Sequence, residues 1–262
     1  MNLETATNHP TARCPEHLSY VLRIADGSLI LAQGLSEWCG HGPVLEEDIA
    51  FANIALDLLG QARLLYTHAG ELEGAGRDED RFAYWRDEQQ FLNPTLAELP
   101  NGDFAHSVLR AFFYTAYQRE LWIALATSKD LVLARIAGKS LHESRYHVEH
   151  LGTWVTRLGD GTDDSHGRMQ RALHHLWPYT NELFVADRVE HAASAHEIGP
   201  DPESLRSQWQ QAVATVLTAA TLALPGESPF LSTGKQGLHL ETFGKLLAEM
   251  QSLARAHPDA RW

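Results

Sequence analysis

The 262-residue chain is 44% hydrophobic and 21% charged, the balance of a soluble globular protein, and it is long enough to bury one large core. Its formal net charge is −13, with 34 acidic against 21 basic residues, so it lacks the basic footprint that nucleic acid or an anionic membrane requires. Two cysteines, Cys14 and Cys39, make neither a disulfide framework nor a Cys-x-x-Cys site, which points to a reduced, cytoplasmic compartment.

Residues 1–17 are polar, contain two prolines and offer no apolar segment for a signal peptide. They read as a disordered extension ahead of a single helical domain over 18–262. Leu18, Val21, Leu22, Ala25, Leu29, Ala32 and Leu35 recur at three- and four-residue steps, which predicts a first helix ending near Gly40-His41-Gly42-Pro43. A second helix is expected over 46–73, where Glu46, Glu47 and Asp48 suit the positive end of a helix dipole. Its dense apolar run, from Ile49 through Leu65, predicts that it is largely buried.

Residues 78–87 predict one or two helical turns, Asn93-Pro94 ends them, and Thr95-x-x-Glu98 is a candidate capping box. Asp103 opens a third long helix to about 127. A fourth covers 131–158 and stops at Gly159-Asp160-Gly161. These four make two antiparallel hairpins, which together form a four-helix bundle. Beyond it, a helix from 165 bends or ends at Pro178, and a short one covers 187–195. Another starts at Asp201-Pro202-Glu203 and runs to 224. A glycine- and proline-rich loop (225–239) leads to a last amphipathic helix over 241–256. No strand signal appears, and the longest apolar stretch, 213–224, is too short to span a bilayer. The fold class is all-α, a four-helix bundle with additional C-terminal helices.

Bundles that hold two metal ions for oxygen chemistry do so with Glu-x-x-His on facing helices. No glutamate in this chain is followed three places later by a histidine. The nearest approaches are Asp57-x-x-Gly60 and Ser144-x-x-His147, each keeping half of the pair. On the second helix Asn53, Asp57 and Gln61 are four apart and stack on one side. That side is either a binding stripe or a face turned to solvent or a satisfied polar network. Ser144 and His147 sit beside the seam formed by Leu141, Val148, Leu151 and Val155, so His147 is a candidate for pointing inward, as a core residue or as a ligand.

Glu143-x-x-x-His147 and Glu37-x-x-x-His41 also pair acid with imidazole, at a spacing common in helices of this composition. His174-His175 point to different sides of a helix. The cluster Asp163-Asp164-Ser165-His166 reads as a helix cap. Gly234-Lys235-Gln236-Gly237 reads as a flexible loop in preference to a phosphate cradle. No Gly-x-x-x-x-Gly-Lys-Ser/Thr loop or Gly-x-Ser-x-Gly elbow is present.

Four stretches carry a family resemblance: GLSEWCGHGPVLEEDIAFANIALDLLGQAR (34–63), ESRYH (143–147), RLGDGTDDS (157–165) and GKQGLHLETFGKLLAEMQ (234–251). In that order, within residues 19–262, they resemble the C subunits of bacterial multicomponent phenylacetyl-CoA epoxidases. The resemblance implies a ferritin-like fold, no metal or other cofactor, and a non-catalytic structural role. It also implies a partner, the sibling A subunit, which carries two irons in a complex that makes a ring 1,2-epoxide from phenylacetyl-CoA with O₂ and reductase electrons.

On the same resemblance, the sibling's two Glu-x-x-His motifs fall at or near Asp57 and Gly60, and at Ser144 and His147. Asp57, Gln61, Ser144 and His147 are then a residual polar core, hydrogen-bonded where the sibling holds metal. Glu37 and Glu120 are candidate single-carboxylate positions on the other two helices. The alternative is an active ferritin-like metal oxidoreductase with a rearranged ligand set of Glu37, Glu120, Glu143 and His147. A storage or DNA-protecting shell is opposed by the negative charge and the missing ligands.

Overall fold

The computed structural model describes residues 15–260. Among these residues the α-helices are, in order, α1 (Pro15–Ser36), α2 (Leu45–Glu73), α3 (Glu79–Tyr84), α4 (Thr95–Glu98), α5 (Phe104–Leu125), α6 (Leu131–Gly159), α7 (Asp163–Leu176), α8 (Arg188–Ala195), α9 (Arg206–Ala219) and α10 (Glu241–Ala256). Short 3₁₀ segments fill several of the connections. Two hairpins, α1 with α2 and α5 with α6, make the expected bundle. Helix α7 packs on α5 and α6, α8 on α1, α9 on α5 and α6, and α10 on α3.

Local chemistry sets the ends of the long helices. Asp103 accepts the amide of His106 at the start of α5, and Asp130 accepts those of Val132 and Leu133 at the start of α6. Helix α2 stops at Gly74, whose φ of +63° is free of strain only because no Cβ is present. Inside the bundle, α1 and α5 close on each other at Gly27, where a Cβ would overlap the Tyr114 hydroxyl.

The structure departs from the sequence expectations at four places. Helix α1 begins at Pro15, with proline in the first turn, so 15–17 belong to the helix and not to the extension. Residues 1–14, with Cys14, lie outside the described residues. Helix α9 ends at Ala219, five residues early. Thr221 takes a left-handed φ of +57° there while Leu222 donates back to the Leu217 carbonyl, a terminal wrap that stops the helix. The 95–98 stretch has no capping box. The Thr95 hydroxyl accepts from Gly234, and Glu98 turns to His239. Helix α2 is not largely buried, because Leu45, Ile49 and Leu56 are exposed.

The peripheral segments are fastened by buried charges. The Asp26 carboxylate, in mid-α1 and fully buried, accepts the Tyr66 hydroxyl at 2.6 Å, the Leu92 amide at 2.8 Å and the guanidinium of Arg86 through both oxygens. Arg86 also donates to the carbonyls of Phe82 and Gln90. Helix α10 then docks on the segment so fixed, through Gln251 and Arg255 to the carbonyls of Ala83, Tyr84 and Arg86. A second clasp joins Glu98 to His239 at 2.6 Å, with the other Glu98 oxygen capping α10 through the Leu240 amide. A third carboxylate, Glu182, gathers the 225–239 loop by accepting from Thr95, Ser232 and Lys235.

Removing one partner of a buried ion pair strands the other charge. Asp26→Asn should therefore cost about 3–5 kcal/mol of stability in urea unfolding. The double replacement Asp26→Leu with Arg86→Met should cost less than the single change, because no uncompensated charge remains.

Candidate functional site

The centre of the bundle lies where α2 faces α6. On α6 the fully buried positions step through Ser140, Ser144, His147, Leu151 and Val155. On α2 the corresponding inward positions are Ile54, Leu58, Gln61 and Leu65. A helix turns about 100° per residue, so residues three apart share a face and their neighbours do not. The inward pair on α2 is therefore Leu58 with Gln61. Asp57 and Gly60 are turned toward the surface: the Asp57 side chain is 42% exposed, and a Cβ at Gly60 would meet nothing within 4 Å. This corrects the register expected from the sequence by one residue. Asn53, at the far end of the expected stripe, is exposed.

Polar contacts nevertheless link the two helices. His147 Nε2 lies 2.9 Å from Asp57 Oδ2, Gln61 Nε2 donates to Glu143 at 3.0 Å, and His150 Nε2 lies 3.0 Å from Glu47. The seam thus brings Asp57, Gln61 and His147 together with Glu143. Ser144 is fully buried like Gln61 and His147, but its hydroxyl makes no hydrogen bond within the protein. Burial holds His147 below the ordinary imidazole range despite the neighbouring Asp57, so the ring is neutral near pH 7 and donates its Nε2 proton to that carboxylate. His147 Nδ1 and Gln61 Oε1 likewise have no protein partner. On the far side of the bundle, Gln118 of α5 donates to Ser28 of α1 at 2.9 Å, both fully buried.

These donors do not suit two metal ions. A carboxylate-bridged pair needs several carboxylates and imidazoles converging on one centre. Here the inward pairs offer leucine, an amide, a hydroxyl and one imidazole. The rearranged set does not converge either. Glu37 is exposed and accepts from Asn101, and Glu120 is paired with its neighbour Arg119. Among the described residues, three ligand atoms of His, Cys, Asp or Glu come within 4.8 Å of one another at one place only, and His147 is not part of it.

The other candidates resolve simply. His41 is exposed, with its ring against the Cys39 carbonyl. His175 meets His106 and not His174. The 163–166 cluster is a cap, in which Thr162 and Ser165 exchange hydrogen bonds and His166 meets the Gly159 carbonyl. Lys235 spends its ammonium on Val185 and Glu190 and its amide on Glu182, which leaves the 234–237 turn ordered and unlike a phosphate cradle.

The outward side of α2 carries the remaining unusual feature. Leu45, Ile49 and Leu56 fall on one stripe and are 70%, 51% and 63% exposed, with Arg63 continuing the same line. These three apolar side chains are left largely uncovered by the rest of the described residues.

The chain matches, over residues 1–262, the family model described as "Phenylacetic acid catabolic protein". It is also 47% identical over 244 residues to the C subunit of the 1,2-phenylacetyl-CoA epoxidase of Escherichia coli (strain K12), an alignment that covers 93% of this chain and 98% of that relative.

Two substitutions separate the residues of the seam. His147→Ala empties a packed position and should cost about 2–4 kcal/mol in chemical denaturation. Ser144→Ala removes a hydroxyl with no partner and should change stability by less than about 1 kcal/mol. The folded-state pKa of His147 is depressed, so its stabilising share is present above the unfolded value near 6.5 and shrinks as pH falls. The stability difference between wild type and His147→Gln should accordingly narrow from pH 7 to pH 5.

Proposed function

The chain belongs to the phenylacetic acid catabolic protein family, and on that premise we propose that it serves as the C subunit of a 1,2-phenylacetyl-CoA epoxidase, a non-catalytic scaffold that pairs with and stabilises a di-iron A subunit. The observation that carries this reading is the content of the two inward pairs, Leu58 with Gln61 and Ser144 with His147. They keep the geometry in which a bundle presents Glu-x-x-His and have lost all but one of its ligands. Where a metalloprotein would place carboxylates, this core has an apolar side chain and a small hydroxyl.

What the residues do instead is hold the shape of the bundle. Leu58 fills its layer, and the contacts from Asp57, Gln61 and His147 fix how α2 lies against α6. The outward stripe of Leu45, Ile49 and Leu56 rides on the same helix, so a fixed α2 presents a fixed apolar face to a partner. No helix among the described residues is long and apolar enough to cross a membrane, and a cytoplasmic complex is the setting we assign.

Co-expression with the A subunit followed by native mass spectrometry should give a stable complex. Leu56→Asp should weaken it about tenfold or more, because a charge would be carried into a desolvated apolar contact. Elemental analysis of the isolated chain should find no pair of irons. An isolated chain that bound two irons and consumed O₂ with a reductant would overturn the proposal.

A further inference from the structure

Far from the seam, a second set of side chains has the chemistry that the bundle centre lacks. His17 stands in the first turn of α1, His68 in the last turns of α2, and Asp130 is the N-cap of α6. By helix rise Asp130 is about 25 Å along α6 from His147. Asp130 Oδ2 lies 2.8 Å from His17 Nε2 and 2.6 Å from His68 Nε2. Asp130 Oδ1 accepts the amides of Val132 and Leu133, each at 3.0 Å. The side chains of His68 and Asp130 are each 6% exposed, and that of His17 is 19% exposed. We infer that His17, His68 and Asp130 form a binding site for one divalent cation of the Zn²⁺ class, with three protein ligands and a fourth position open to water beside His17.

Three features point to a cation. The first is the ligand set: two imidazoles and one carboxylate oxygen, with ligand atoms within 4.8 Å of one another, are the donors that Zn²⁺ and its neighbours take in sites that keep an open position. The second is preorganisation. The α6 amides hold Asp130 by one oxygen and leave the other aimed at the imidazoles, which is the outer-shell support that ligating carboxylates usually have.

The third is the placement of protons. With both Nε2 protons directed at one oxygen, neutral His68 leaves Nδ1 buried without a hydrogen bond, 3.9 Å from the Glu71 carboxylate. Two electron-rich groups then face each other. A cation bound to Nε2 of both rings and to Asp130 Oδ2 moves each ring proton to Nδ1, with none released. The His68 Nδ1–H then points at Glu71, a carboxylate–histidine–metal relay. Three metal–ligand bonds replace two hydrogen bonds to a single oxygen.

The test uses the untagged full chain, stripped with chelator and titrated with Co²⁺ alone and then Zn²⁺ alone at neutral pH. One equivalent of Co²⁺ should bind with visible ligand-field bands, Zn²⁺ should displace it, and Zn²⁺ should raise the melting temperature. His68→Gln and Asp130→Asn, the latter keeping an acceptor for the α6 cap, should each weaken binding about tenfold or more. His17→Ala, at a partly exposed position in the first turn, tests the site even where His68→Gln disturbs packing. It should abolish the Zn²⁺-induced rise in melting temperature. Absence of stoichiometric metal in wild type, or equal binding by wild type and His17→Ala, overturns the inference. A melting temperature that does not respond to Zn²⁺ overturns it as well.

Discussion

A single carboxylate in the middle of α1 sets the conditions for much of the molecule. Asp26 is removed from water on a helix that is buried on nearly every side, and leaving it unpaired there would be prohibitive. Its partners arrive from elsewhere: Tyr66 from α2, Arg86 after α3, and the Leu92 amide. The need to satisfy this charge fixes the path of the chain between the two hairpins. The carbonyls on that path then receive the C-terminal helix. Apolar burial supplies the bulk of the driving force, but the buried ions decide which segment lies where.

The same division of labour runs through the bundle centre. Apolar layers bring α2 to α6, and a few polar contacts fix their alignment. A bundle that surrounds two cations must carry several acidic side chains inward, and each is tolerated only while the metal is bound. With leucine, amide, hydroxyl and one imidazole facing inward, this core needs no ion to be stable.

Much of the architecture is legible in the sequence because helices announce themselves through spacing. The course of α2 and α6 and the seam beside which His147 sits follow from apolar residues at three- and four-residue steps, and the end of α6 follows from its glycine turn. The face of α2 does not. Leu56 and Leu59 are as apolar as Ile54 and Leu58, so periodicity alone does not separate a side meant for the core from one left exposed, and the expected register falls one residue away, at Asp57 and Gly60. Asp26 is silent in the sequence for a different reason. It is one acid in an apolar helix, and its partners Tyr66 and Arg86 stand 40 and 60 residues away. His17, His68 and Asp130 are hidden the same way, with His17 and Asp130 separated by 113 residues and His17 falling inside the expected extension. Pairings across such distances are made by topology and leave no local mark.

The Glu98–His239 clasp has a consequence for how the whole molecule meets a change of acidity. Burial works against the His239 proton, yet Glu98 raises its affinity above that of a free imidazole. The clasp is complete below the unfolded value near 6.5 and loosens as pH rises through the folded one. His147 behaves in the opposite sense. Acid slackens the seam between α2 and α6, and alkali slackens the fastening of α10. The two histidines lose their shares of stability in opposite directions, so the part that yields first changes with the direction of the challenge.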